Sequence, residues 1–197
     1  MTKSESKALR TRWSSVLLGA GIQSLTGKGL PPFGNLKDGR CDLRGLVISQ
    51  FVKNATIRDV DLSHSVTEGF GQFGMCHVIR SCFREAKITS NLGYDFQECS
   101  FVDAKLSGVV LREKFVNCDF TSTNLSAGLG NQVQFVRCKF IKTNFKKTTL
   151  THCVFEECEF AECDYGSGSL SFSKFINSPI ESDSLGNTLM EKVVIDG

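Results

Sequence analysis

Nine cysteines and three histidines are the residues of this chain best suited to nucleophilic or metal chemistry. Cys76-His77 and His152-Cys153 each put a thiol beside an imidazole, the pair that activates a cysteine nucleophile, and Cys153, Cys158 and Cys163 could suggest a metal site. Neither arrangement works. Neighbouring side chains on an extended chain point to opposite faces, so each thiol would face inward and its imidazole outward. Structural zinc sites pair ligands two to four residues apart, and these cysteines are spaced by five. His64 has no evident sequence partner, and all three histidines read as surface residues. Gly69-Phe70-Gly71-Gln72-Phe73-Gly74 spells a dinucleotide fingerprint, but that motif works only between a strand and a helix, and here Phe73 begins a repeat column. Gly27-Lys28 suggests a phosphate loop but has Gly29 where a hydroxyl is required. The sequence therefore predicts no catalytic residue, no cofactor and no metal.

The elements that position these residues obey an unusual period. Every fifth residue from Phe115 to Leu185 is apolar apart from Gly130, and two residues earlier stands a small or thiol side chain such as Cys118, Thr123, Cys138, Thr143 or Cys158. A separation of two keeps both side chains on one side of a strand, whereas the odd step of three to the next pair requires a bend. A twenty-residue period lies over the five: Phe115, Phe135, Phe155 and Phe175 recur on one side, and Cys118, Cys138 and Cys158 on the next. Four sides per coil explain this, because residues one coil apart then stack as parallel neighbours. Phe96 with Cys99 and Phe73 with Cys76 are read as extending the same columns, after a shortened step from Leu111 to Phe115 and a step lengthened by three residues from Ile88 to Phe96. Further upstream, Ser49/Phe51, Ala55/Ile57 and Val60/Leu62 read as small/large pairs.

Cys99-Ser100-Phe101, Cys118-Asp119-Phe120, Thr123-Asn124-Leu125, Cys138-Lys139-Phe140 and Cys158-Glu159-Phe160 resemble the pentapeptide-repeat family over residues 41–185. The resemblance implies an all-β fold, a right-handed quadrilateral β-helix. The Phe-rich, Cys-bearing pattern looks most like the bacterial quinolone-resistance members, which bind DNA gyrase and imitate duplex DNA. Residues 1–40 are read as a basic segment forming a helical cap from about Ser6, with Leu9, Trp13, Val16, Leu17 and Ala20 on one face. Residues 186–197 are read as a C-terminal cap.

Charge bears on mimicry. Residues 41–180 hold 15 basic and 15 acidic side chains, while residues 1–40 hold seven basic and two acidic. The one acidic run, Glu156 to Asp164, would stack beside Arg137, Lys139 and Lys142, and such cross-strand pairs cancel each other's distant field. A neutral rod without a basic stripe predicts no direct nucleic-acid binding. No apolar run is long enough to span a membrane. The cysteines suit a small buried position and a reducing, cytoplasmic compartment.

These readings predict a non-catalytic solenoid that binds another macromolecule, in first place a protein. Gyrase protection and a secreted effector or structural scaffold are the alternatives, and homodimerisation stays open. The register slips are assigned to one corner before the Phe column, where two insertions would present His64, Glu68, Phe70, Asn91, Leu92 and Tyr94 as the binding patch. Outward Val102, Val116, Val136, Ile141 and Ile176 form a second stripe.

Overall fold

The computed structural model describes residues 3–181 and 185–196. Met1, Thr2, Ser182 to Ser184 and Gly197, which the domain boundaries above include, lie outside the described residues. Two short helices, α1 (Lys3–Thr11) and α2 (Ser15–Leu25), precede a β-solenoid of about eight turns. Its first coils contain β1 (Cys41–Asp42), β2 (Val47–Ile48), β3 (Phe51–Lys53), β4 (Thr56–Arg58), β5 (Val60–Asp61), β6 (Val66–Thr67), β7 (Gln72–Ile79), β8 (Asn91–Gln97) and β9 (Val110–Val116). Neighbouring coils pair in parallel throughout.

Four inward columns run along the axis. The first face carries Leu43, Leu62, Phe83, Phe101, Phe120, Phe140 and Phe160; the second Ile48, Thr67, Ile88, Leu106, Leu125, Phe145 and Tyr165. The third carries Val52, Phe73, Leu92, Leu111, Gly130, Leu150 and Leu170; the fourth Ile57, Val78, Phe96, Phe115, Phe135, Phe155 and Phe175. Rings stack within both Phe columns, with centroids 5.3 Å apart for Phe115 and Phe135 and 4.8 Å for Phe101 and Phe120. Across a corner they meet edge to face, as Phe135 and Phe140 do at 5.4 Å. Both geometries suit the ring quadrupole.

The five-residue period has a local cause. Two residues past a column position the backbone turns left-handed, as at Asp59, Arg80, Asn117, Arg137, Lys142, Glu157 and Glu162. That conformation turns the chain through the corner and absorbs the odd step. It is unfavourable for an L-residue, and the hydrogen bonds to the next coil hold it. One residue further on, the small side chain reaches back to a carbonyl of the preceding coil. Thr123 Oγ1 donates to the Phe101 carbonyl at 2.7 Å, Thr143 Oγ1 to that of Phe120 at 2.8 Å, and Cys138 Sγ to that of Phe115 at 3.4 Å. Serine, threonine and cysteine fit because each combines small volume with a donor.

The upstream register differs from the sequence reading. Val78 pairs with Phe96, and Phe73 pairs with Leu92, so Phe73 belongs to the third column and Val78 continues the fourth. Ser81 accordingly takes the place expected for Cys76 below Cys99. The step from Ile88 to Phe96 is two sides of four residues, with Leu92 inward between them. Asn91 to Tyr94 therefore lie in β8 and form no loop. In the sides from Leu92 to Phe96 and from Leu111 to Phe115 no inward small residue stands between the columns. In the side from Ile88 to Leu92 Ser90 keeps that place, its carbonyl accepting from Val110 N as that of Val109 does from Leu129 N, and the left-handed corner residue is missing. Between Leu62 and Phe73 a single residue is added near Glu68 to Gly71, since Thr67 is inward in register with Ile48. Val52 points inward and Phe51 outward, reversing the Ser49/Phe51 expectation. The slips thus flank the third face on both sides and do not share one corner.

At the N-terminus, two helices replace the single one expected. Ser14 caps α2 by accepting from Leu17 N, and Trp13 lies between the helices, buried, with Nε1 donating to the Arg44 carbonyl at 2.9 Å. Val16 is exposed. Arg12 bonds both carboxylate oxygens of Asp42, at 3.0 and 2.7 Å, and lies 3.8 Å from the centroid of Phe33. Residues 186–196 form no separate cap: Leu189 and Val194–Asp196 continue the solenoid, pairing with Ser169 and Lys174–Ile176.

Candidate functional site

Where the four-residue sides begin, the third face and its corner with the fourth are dented. A groove of about 220 Å³ is lined by Phe51, Phe73, Gly74, Met75, Asn91, Gly93, Tyr94, Arg112 and Glu113. Its shape depends on two glycines. A Cβ on Gly74 would lie 2.5 Å from Phe51 Cε2, and one on Gly93 2.6 Å from Arg112 Cβ, so both side chains can lie across the strand only over a bare backbone. Met75 is 56% exposed, and Phe51 and Tyr94 are each 43% exposed. The Tyr94 ring stands edge-on to His77 at 5.0 Å, and Asn91 Nδ2 donates to Gln72 Oε1 at 2.6 Å, which fixes the groove wall. A second dent further along, lined by Arg112, Glu113, Leu129, Asn131, Gln132, Thr149 and Thr151 among others, continues the same face.

Charge separates this face from the others. Ion pairs join successive coils away from it: Arg80 with Asp59 at 2.7 Å, Arg84 with Asp103 at 3.2 Å, Arg137 with Glu157 at 3.5 Å, Lys142 with Glu162 at 3.5 Å and Lys146 with Asp164 at 2.6 Å. Asp119, Lys139 and Glu159 stand in line, as the twenty-residue spacing predicts. The outward residues of the third face are instead mostly uncharged: Phe51, Gln72, Gly74, Asn91, Gly93, Val110, Leu129, Asn131, Thr149 and Thr151, with Lys53 and Arg112 as exceptions.

The six residues expected to form one patch are dispersed. Tyr94 belongs to the groove and Asn91 to its wall. Leu92 is a fully buried member of the third column and cannot touch a partner. Glu68 and Phe70 lie at the corner between the second and third faces, where Phe70 is 85% exposed. His64 sits on the corner between the first and second faces and is buried, contrary to its surface reading. Its Nδ1 lies 2.8 Å from Ser6 Oγ and 3.5 Å from Glu85 Oε2, and its carbonyl accepts from Arg10 Nε. It anchors α1. Burial pushes the imidazole below its ordinary pKa, although Glu85 pulls the other way. Phe51 and Met75 went unrecognised in the sequence because both sit where the small/large alternation slips.

The thiols are occupied with structure. Cys76 and Cys153 are buried while His77 and His152 are exposed, so neither dyad forms. Cys99, Cys118 and Cys158 donate to carbonyls of the preceding coil at 3.4 Å. Burial raises the Cys153 pKa to about 11.

This architecture defines the chain as a four-sided parallel β-solenoid with five-residue sides. Residues 131–164 match the family model described as pentapeptide repeats (8 copies). Residues 131–164 thus carry pentapeptide repeats, and the fold is that of a pentapeptide-repeat β-helix. No curated protein matches it. Among solved structures, HetL, a pentapeptide-repeat protein involved in heterocyst differentiation regulation from the cyanobacterium Nostoc sp. strain PCC 7120, is 14% identical, with a TM-score of 0.43, covering 87% of this chain and 92% of that one. Full-length QnrB1, a plasmid-mediated fluoroquinolone resistance protein, is 17% identical, with a TM-score of 0.29, covering 79% and 92%. A pentapeptide-repeat protein of the Arabidopsis thaliana thylakoid lumen is 18% identical, with a TM-score of 0.23, covering 80% of each chain. No helix among the described residues is long and apolar enough to cross a membrane.

Proposed function

We propose that this protein is a non-catalytic scaffold that binds another protein through its third face, centred on the groove of Phe51, Met75 and Tyr94. One observation carries the reading: among the described residues this face combines a glycine-cut dent, the exposed side chains of Phe51, Met75 and Tyr94 and few charges, while ion-pair ladders join the coils elsewhere on the rod. Exposed aromatic and Met side chains around a pocket are the usual core of an interface, and the surrounding charged residues its rim. Phe51 and Tyr94 stand on strands paired to β7, so little backbone has to be ordered on binding.

Placing a photo-crosslinking amino acid at Tyr94, and in a second sample at Lys139 on the first face, tests this in the source cell. Crosslinks to a partner from position 94 and none from 139 are expected, and the reverse pattern overturns the reading. The same ion-pair ladders argue against long-range imitation of DNA. Purified gyrase, with or without quinolone, should accordingly supercoil DNA unchanged at equimolar protein. Inhibition would favour the gyrase alternative.

A further inference from the structure

The N-terminal end of the solenoid is incompletely covered. On the first face, residues before β1 complete the edge: Asn35 bridges Cys41, and Asp42 N donates to the Gly34 carbonyl at 3.0 Å. On the third and fourth faces nothing equivalent exists among the described residues, where β3 and β4 have β7 as their one strand neighbour. Asn54 N donates to the Gly74 carbonyl at 3.2 Å and Asp59 N to that of Ile79 at 3.1 Å, which fixes which backbone groups face β7. Backbone amides alternate along a strand, so those of Phe51, Lys53, Thr56 and Arg58 face the open edge. All four residues are exposed.

Space for another strand lies beside this edge. A groove of about 470 Å³ separates Gln50, Phe51, Val52 and Lys53 from Ile22, Gln23, Thr26 and Lys28 at the end of α2 and just beyond it. It runs into a further hollow between α2 and Val47 to Gln50, lined by Leu18, Gly19, Ile22 and Gln23. The only charged residues lining these two hollows are Lys28 and Lys53, and Arg58 is the charged residue of the neighbouring edge strand β4.

We propose that β3 and β4 accept an extended, acidic segment of a partner protein, which adds a strand to the open edge in the groove beneath α2. The added backbone would satisfy the free amides and carbonyls, as in other β-augmentation complexes. Its alternate side chains would face the apolar wall of Ile22 and Val52, and its carboxylates would reach Lys28, Lys53 and Arg58. The same cations disfavour pairing with a second copy along this edge, because like charges would be juxtaposed. The proposal goes beyond the third-face reading: it uses the open backbone edge of β3 and β4, whereas that reading uses the outward groove of Met75 and Tyr94. Although Phe51 lines both hollows, either can fail alone.

The test uses the full chain and a capped eight-residue peptide alternating valine with glutamate. Two control peptides replace glutamate by lysine or carry N-methyl groups on alternate amides. Amide exchange and chemical shifts are followed by NMR. The glutamate peptide should slow exchange at Phe51, Lys53 and Thr56 and bind at least about tenfold more tightly than the lysine peptide. The N-methylated peptide should give no protection. K28E/K53E, both exposed substitutions, should reverse the preference between glutamate and lysine. Equal affinity for the two charged peptides, protection unaffected by N-methylation, shifts confined to the Tyr94 groove, or concentration-dependent dimerisation through β3 would each overturn the proposal.

Discussion

Gly130 is the one non-apolar member of the regular third column, and the packing around it makes a quantitative prediction. A Cβ added there would lie 2.6 Å from Leu150 Cδ2 and 3.1 Å from Val133 Cγ2. Val133 is buried at a corner where Cys153 and Ser173 stand in the following coils, so an oversized residue at the small position occupies the volume that the missing side chain would have filled. Gly130→Ala alone should overpack the coil and cost about 1–3 kcal/mol, offset by about 0.4–1 kcal/mol from a stiffer unfolded chain. Val133→Ala alone removes two buried methyl groups and should cost about 2–3 kcal/mol. Combined, the new methyl partly fills the space that the valine leaves, so the double variant should be more stable than the sum predicts by about 1–2 kcal/mol. Urea unfolding of the four proteins measures this directly. Additivity within about 0.5 kcal/mol would refute the reciprocal packing.

Phe135→Ala should cost about 3–5 kcal/mol by thermal or urea unfolding, because the ring is fully buried and stacked on Phe115 and Phe155. A midpoint unchanged by it would remove the fourth column as a source of stability. Asp42 links the N-terminal helices to the first coil: burial opposes its ionisation, but Arg44 and Arg12 outweigh it and hold the carboxyl well below the usual carboxylate range. With the folded pKa depressed, the contribution is present above about pH 4 and is lost as pH falls. Fluorescence of Trp13, the single tryptophan, should report release of the helices in acid, and Asp42→Asn should abolish that acid dependence. In alkylation at pH 8, the half-exposed Cys41 and Cys163 should react first, and Cys99, Cys118, Cys138, Cys153 and Cys158 only on unfolding. Uniform labelling of the folded protein would contradict the buried thiol columns.

Much of the solenoid is legible in the sequence because its rule is local. The recurrence of Phe115, Phe135, Phe155 and Phe175, and of Cys118, Cys138 and Cys158, determines the four-sided coil, and from it the Arg137–Glu157 and Lys142–Glu162 pairs. Each is a relation between residues one coil apart, which counting can supply. What the tertiary structure alone decides is register wherever the count breaks. Phe73 and Val78 are both apolar and five residues apart, so either could continue the fourth column, and only pairing of β7 with β8 selects Val78. The same ambiguity made Asn91 to Tyr94 read as a loop and Phe51 as core, although Leu92 and Val52 are the buried residues. His64 was misplaced for another reason: its partners, Ser6 and Glu85, lie on α1 and on the next coil, and no local spacing announces them. The groove exists because two sides lack their inward small residue while Gly74 and Gly93 lie beneath Phe51 and Arg112, a coincidence of neighbouring coils that one strand's sequence does not encode.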